Sequence, residues 1–261
     1  MNYKTDYHIH TTFSDGKAPA KEYIHSALAA GLDEIGFSEH LSLFNENQHW
    51  CMNPSNVKSY IEHINYLKDQ FTDISIKVGL EIDYIPGGEQ ELESFLNDLD
   101  LDYRIGSVHY LGEKTVDLSP EFYHGKDFNI IFENYFKTVI AAASSKLFDI
   151  IGHCDLIRIF GHKPDFDPEH LYREMAKSFK KNDVVFELNT NGRNRPLADF
   201  YPDRKYLHIF AEEKVPVCVN SDAHLPARVG QYFDEAYDLL KSAGFTEKAT
   251  FTKRERKMIP L

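Results

Sequence analysis

Short runs of alternating or continuous apolar residues recur along this chain. Each is followed by a longer stretch in which apolar residues return every three or four positions. The first pattern predicts strands and the second amphipathic helices. TDYHIH (5–10) reads as a strand, and PAKEYIHSALAAG (19–31) as a helix closed by Gly31. EIGFSEH (34–40) and SNVKSYIEHINYLKDQF (55–71) repeat the pair, as do ISIKVGLEID (74–83) and GEQELESFLNDL (88–99). YRIGSVH (103–109) precedes a long helix in FNIIFENYFKTVIAAASS (128–145). FDIIGHCD (148–155) precedes DPEHLYREMAKSFKKN (167–182), with Asp167 as the expected cap. VVFELNTN (184–191) is followed by YPDRKYLHIFAEEK (201–214), and PVCVNSDAH (216–224) by YFDEAYDLLKSAG (232–244).

Seven β/α units with mostly short connections imply a parallel sheet, either closed as a barrel or open and doubly wound. No linker divides the chain, so residues 1–261 are expected to form one domain. Two connections are long, LSLFNENQHWCMNP (41–54) and YLGEKTVDLSPEFYHGKD (110–127). Long loops in compact domains tend to serve function. The tail TKRERK (252–257) is expected to be a solvated charged strip.

Composition narrows the function classes. Lys plus Arg number 29 against 41 Asp plus Glu, a formal charge of −12, so a nucleic-acid backbone is not the expected partner. No apolar run reaches membrane-spanning length, and no membrane association is expected. The first residues lack a signal-peptide pattern, and Cys51, Cys154 and Cys218 form no CxxC pair. Reduced thiols in the cytoplasm are the expectation. No glycine-rich phosphate loop follows the first strand, which removes the usual support for a nucleotide fold.

The polar residues at the strand ends carry the chemistry. In a strand, residues i and i+2 face one side, so His8 and His10 project together. The C-terminal ends of barrel strands form the active face. There the successive strands offer His40, Glu81, His109, His153, and Asp222 with His224, while Asp15 follows strand one. A lone histidine there is more often a hydrogen-bonded core residue than a metal ligand, and Glu81 or Asp222 alone is as often a buried ion-pair partner. Nine of them at one rim exceed what a single ion can take, and they fit two or three divalent metals sharing a carboxylate, with Zn, Mn or Fe as candidates.

The motifs HIHTTFSDG, GFSEH, GLEID, GSVH, IGHCDL, ELNTNG and NSDAH together resemble the polymerase and histidinol phosphatase (PHP) superfamily over nearly the whole chain. The resemblance implies a distorted (β/α)7 barrel with a metal site at the C-terminal ends of its strands. GHCDLIRIFG with ELNTNGRNRP is similar to the histidinol-phosphate phosphatase branch. Tyrosine phosphatases of the superfamily carry a His-Pro-Glu-Arg type motif where this chain has GHCDL. Carried over residue by residue, the resemblance implies three metals. His8, His10, Glu81 and Asp222 match one site, Glu81, His109 and His153 a second, and Asp15, His40 and His224 a third.

The implied activity is hydrolysis of a small phosphate monoester, L-histidinol phosphate to L-histidinol and phosphate in histidine biosynthesis, by a hydroxide bridging two metals. Asp15 and His40 are candidate proton donors. Arg158 and Arg195, with Arg193 behind them, are candidate phosphate clamps, because guanidinium forks match phosphate oxygens. The loop bearing Glu46, His49 and Trp50 is a candidate for holding the imidazole and amine, with a plain lid as the alternative. Other readings are a phosphotyrosine or nucleotide phosphatase of the same superfamily, or a metal-binding module without turnover.

Overall fold

The computed structural model describes residues 3–44 and 49–261. Seven parallel strands form one sheet: β1 Thr5–Asp6, β2 Glu34–Leu41, β3 Ser75–Asp83, β4 Tyr103–Ser107, β5 Ile150–Ile151, β6 Val185–Asn189 and β7 Val217–Asn220, in sequence order. The register is set by pairs such as His40↔Glu81 and Glu81↔Ile105. Beyond the ladders, Ile9 bridges Ala223 in parallel fashion, with mutual backbone bonds at 3.0 Å from His10 to Ala223 and from Ala223 to His8. That bridge joins the first strand to the last, which gives the nearly closed barrel of the (β/α)7 pattern. Helices α1 Ala20–Ala29, α2 Val57–Gln70, α3 Glu89–Leu96, α4 Phe128–Ser144, α5 Glu169–Asn182, α6 Leu207–Glu212 and α7 Phe233–Ala243 follow the strands in turn.

The helices bury one stripe each against the sheet, as with Tyr60, Ile61, Ile64 and Leu67 of α2. Gly31 (φ +68) and Gly244 (φ +102) end α1 and α7 in the left-handed region, where a Cβ would be strained.

The barrel interior is layered, because inward positions recur every second residue. Its lower layer is apolar: Tyr7, Tyr103, Ile105, Ile150, Val185 and Cys218. The Tyr103 ring lies against Gly36 and Gly79, where any Cβ would collide with it. Its hydroxyl donates to the Tyr7 and Phe37 carbonyls at 2.6 and 3.0 Å. Two residues further along β4, β6 and β7 come Ser107, Glu187 and Asn220, all buried and polar. Another two bring His109, Asn189 and Asp222 to the rim.

Three expectations need correction. Regular pairing of the first strand stops at Asp6, not at residue 10. The break in alternation lets Tyr7 pack into the lower layer while His8 and His10 both reach the rim. The helix expected over 201–214 is shorter, a 3-10 turn at Arg204–Tyr206 leading into α6. The charged tail is no free strip. Glu247–Thr252 and Glu255–Pro260 pair as an antiparallel hairpin that carries Ala249 and Phe251 into the lower layer. Lys253 (φ +50) and Arg254 (φ +64) form its two-residue turn. That turn is tied to the barrel by Asp102, and by an Arg254–Asp149 ion pair at 3.0 Å.

Candidate metal centre

Glu81, on β3, is the hub of the site and is buried. Its Oε2 lies 2.6 Å from His40 Nδ1, 3.1 Å from His8 Nε2 and 3.5 Å from His10 Nε2. Its Oε1 lies 2.9 Å from His153 Nε2 and 3.5 Å from His109 Nε2, and accepts from Ser107 Oγ at 2.6 Å. Asp222 Oδ1 sits 3.5 Å from His10 Nε2 and 3.9 Å from His8 Nε2. Asp15 Oδ1 sits 3.2 Å from His224 Nε2 and 3.6 Å from His40 Nε2. All nine residues singled out at the strand ends thus meet in one cluster.

Four groups within it have ligand atoms close enough to share an ion. They are His10, Asp15, His40 and His224; His8, Glu81 and His153; His8, His10 and Asp222; and His40, Glu81 and His109. The grouping overlaps the three expected sites without reproducing them, since His40 also approaches Glu81 and His109.

The hydrogen bonding shows whether a cation fits. His8 Nε2, His10 Nε2, His40 Nδ1, Glu81 Oε2 and Asp15 Oδ1 are buried without a hydrogen-bond partner among the described residues. Buried polar atoms are normally satisfied. Lone pairs of imidazoles and carboxylates that converge without bonding one another suit a divalent cation between them. The electrostatics point the same way. Burial opposes ionisation of Glu81, but the imidazoles of His8, His40 and His109 outweigh it and hold the carboxyl well below its usual range. Asp222 is held low against burial by His8, His10 and His224. Burial, with His40 and His224 alongside, pushes His10 down to about 3 and keeps it a neutral base.

An outer layer fixes the rings. Glu187, fully buried, takes His8 Nδ1 at 2.7 Å, the His153 amide at 2.8 Å and the Asn220 side chain at 2.8 Å. Asp83 takes His109 Nδ1 at 2.6 Å. Such carboxylates fix the tautomer and orientation of a metal-binding histidine. Asn189 and Asn191 donate to Asp222 Oδ2 at 3.3 and 3.2 Å, leaving Oδ1 toward the cluster. Asp222 adopts φ +50, a strained backbone that is tolerated where a site requires it. Glu39 accepts from the Thr11 amide at 3.0 Å and from the Thr11 and Ser14 hydroxyls, which pins the loop that presents Asp15. Glu187, Asp83 and Glu39 lie outside the set of site residues expected from the sequence. Strand alternation held the signal for Asp83, two residues beyond Glu81.

The cluster floors a cavity of about 570 Å³, lined also by Lys17, Trp50, Asp117, Leu156, Ile159, Asn191, Arg195, Tyr201 and Arg228. A larger hollow of about 710 Å³, beside α3, is lined by Phe44, Ile85 and neighbouring residues and contains no imidazole.

The three arginines separate here. Arg195 lines the cavity. Arg193 turns away, donating to the Ala198 carbonyl at 3.0 Å and facing Glu235 at 3.5 Å. Arg158 is buried and outside the cavity lining, against Asp155 at 2.7 Å, Asp203 at 3.2 Å and Asp199 at 3.4 Å. The local sequence CDLIR puts Asp155 three residues before Arg158 in a 3-10 turn, so the pair forms within one turn. Trp50 stands edge-on to His40 and His109, with centroids 4.9 and 5.4 Å away. His49 is exposed, and Glu46 lies outside the described residues. The three cysteines are unpaired, and no helix among the described residues is long and apolar enough to cross a membrane.

Comparisons with known proteins agree with this geometry. The model of the PHP domain family matches residues 6–191. A Deinococcus radiodurans protein named "Probable histidinol-phosphatase" is 35% identical over 98% of both chains. The histidinol-phosphatase of Lactococcus lactis is 28% identical, covering 95% of this chain and 94% of its own. The crystal structure of the Lactococcus lactis histidinol phosphate phosphatase, complexed with zinc, L-histidinol and phosphate, superposes with a TM-score of 0.85. It covers 97% of this chain and 98% of that one, at 26% identity.

Proposed function

The chain belongs to the PHP domain family, and from that premise we propose that it hydrolyses L-histidinol phosphate to L-histidinol and phosphate. One observation carries the reading. A relative alike over nearly its whole length binds zinc, L-histidinol and phosphate, and this chain presents a buried His, Asp and Glu cluster suited to divalent metal under an open cavity.

Two or three divalent ions, drawn from zinc, manganese and iron, would be held by His8, His10, Asp15, His40, Glu81, His109, His153, Asp222 and His224. When bound, such ions lower the pKa of water and screen phosphate oxygens. The chain's own groups do the rest. Glu81 offers one oxygen to the His8, His10 and His40 side and the other to the His109 and His153 side. Glu187 and Asp83 hold the imidazoles in register through hydrogen bonds to His8 and His109. Arg195, reaching the cavity, would receive phosphate oxygens through its planar fork. Lys17 and Arg228 line the same cavity and would add positive charge to it. Arg158, paired with Asp155, Asp199 and Asp203, would steady the segment that follows Arg195. Asp15 and His40 line the cavity, where one of them, when not holding an ion, would relay a proton from water to the departing alkoxide oxygen.

The test is a substrate panel on metal-loaded protein. L-histidinol phosphate should give a kcat/KM well above those of phosphotyrosine, a nucleoside monophosphate and 4-nitrophenyl phosphate. A preference for phosphotyrosine or the nucleotide would move the chain to another phosphoesterase activity of the superfamily, and no turnover of any ester would leave a metal-binding module.

A further inference from the structure

Asp117 lies on the long connection after β4, just past a small hairpin of Tyr110–Leu111 with Lys114–Thr115. The preceding residue, Val116, donates its amide to the carbonyl of His109 at 2.8 Å, which sets Asp117 close beside the cluster. Among the described residues, three carboxylates line the cavity: Asp15, Asp117 and Asp222. Two of them belong to the groups able to hold a metal, and Asp117 belongs to none. Its Oδ1 is buried and has no hydrogen-bond partner among the described residues.

A buried carboxylate oxygen left unsatisfied costs free energy, and its retention at a cavity wall is explained when a ligand completes it. The ligand group that fits is a cationic N–H donor. The cavity is then bipolar. Lys17, Arg195 and Arg228, with metal held by the cluster, would favour a phosphate, while Asp117 would favour a positive nitrogen. In L-histidinol phosphate the amine sits on the carbon next to the one bearing the ester oxygen. Its partner must therefore stand close to the metal ligands, as Asp117 does beside His109. Leu156, Ile159 and Trp50 leave apolar wall for a ring.

We propose that Asp117 is a specificity-determining residue that accepts a hydrogen bond from the protonated amine of the substrate, so that the site selects phosphate monoesters carrying a cationic nitrogen beside the ester carbon. The inference rests on the functional reading above. Its test pairs Asp117→Asn and Asp117→Ala with two substrates, L-histidinol phosphate and 3-(imidazol-4-yl)propyl phosphate, which keeps the ring and lacks the amine. Metal content is measured alongside.

Wild-type protein should favour the amine-bearing ester. Both variants should lose roughly tenfold to hundredfold in kcat/KM on it, the worth of one hydrogen bond to a charged group. On the deaminated ester they should change by less than about threefold, the scatter allowed between independent sites. Equal losses on both esters, no loss on either, or loss of metal from the variants would overturn the role of Asp117 while leaving the functional reading intact. A wild type inactive on L-histidinol phosphate but active on 4-nitrophenyl phosphate would overturn both.

Discussion

At the scale of single residues, Glu81 has the widest reach. Both of its oxygens face imidazoles, and they face different ones. Glu81→Ala should lower bound metal by more than one ion per chain and abolish turnover, as elemental analysis and kinetics would show. Retention of the full wild-type metal content would separate Glu81 from the centre. The arginines should divide by depth. Arg195→Ala should cost about tenfold to a few hundredfold in kcat/KM, with metal content and Tm unchanged, because one or two charge-assisted hydrogen bonds are lost. Lys at 195 should restore only part, since a point charge cannot form the fork. Arg158→Ala should lower Tm as well, because it leaves Asp155 buried without its cation, a change costing about 3–5 kcal/mol. Thermal melts of the two variants give the comparison. An unchanged Tm for Arg158→Ala would mean that its ion pairs carry no stability.

At the scale of elements, the C-terminal hairpin closes the end of the barrel opposite the metal centre. One of its strands buries Lys248, whose ammonium donates to the Tyr237 hydroxyl at 2.7 Å. Burial pulls its pKa down to about 8, against the opposing pull of Cys218, Asp33, Glu34 and Asp6. In the unfolded chain the amine titrates near 10.4. Between pH 8 and 10 the unfolded state therefore binds more protons than the folded one. Stability gains up to about 1.4 kcal/mol per pH unit from this group as pH rises through that window, and the penalty is complete below it. Urea unfolding at pH 7.5 and 9.5 should show the gain in wild-type protein, and Lys248→Met should flatten it. A wild-type slope retained by the variant would assign the effect to other groups.

For the whole molecule, metal and fold are linked. The cluster draws ligands from loops and strands between His8 and His224 and so joins the first β/α unit to the last. A cation bound there stabilises only the folded state. Exhaustive chelation should abolish activity and lower Tm, and adding back divalent metal should restore both. An activity that survives complete metal removal would contradict the metal-dependent reading.

Periodicity and the kind of chemistry were legible in the residues alone. The alternation of short apolar runs with helical spacing carried the seven β/α units, because side-chain direction in strands and helices follows from backbone geometry alone. The same rule placed His40, Glu81, His109, His153 and Asp222 at one end of the barrel strands, while His8 and His10 reach that end past the last regular pair of the first strand. Tertiary structure decided what depends on contacts distant in sequence. It engaged Arg158 in ion pairs with Asp199 and Asp203, more than forty residues on. It assigned Glu187 to His8 across 179 residues of chain. It turned the charged tail into a hairpin with a left-handed turn at Lys253 and Arg254, which carries none of the Asn-Gly or Asp-Gly signal of such turns. It also set Asp117 in the cavity wall, where a loop residue's direction follows from what the loop folds against and not from any period in the sequence.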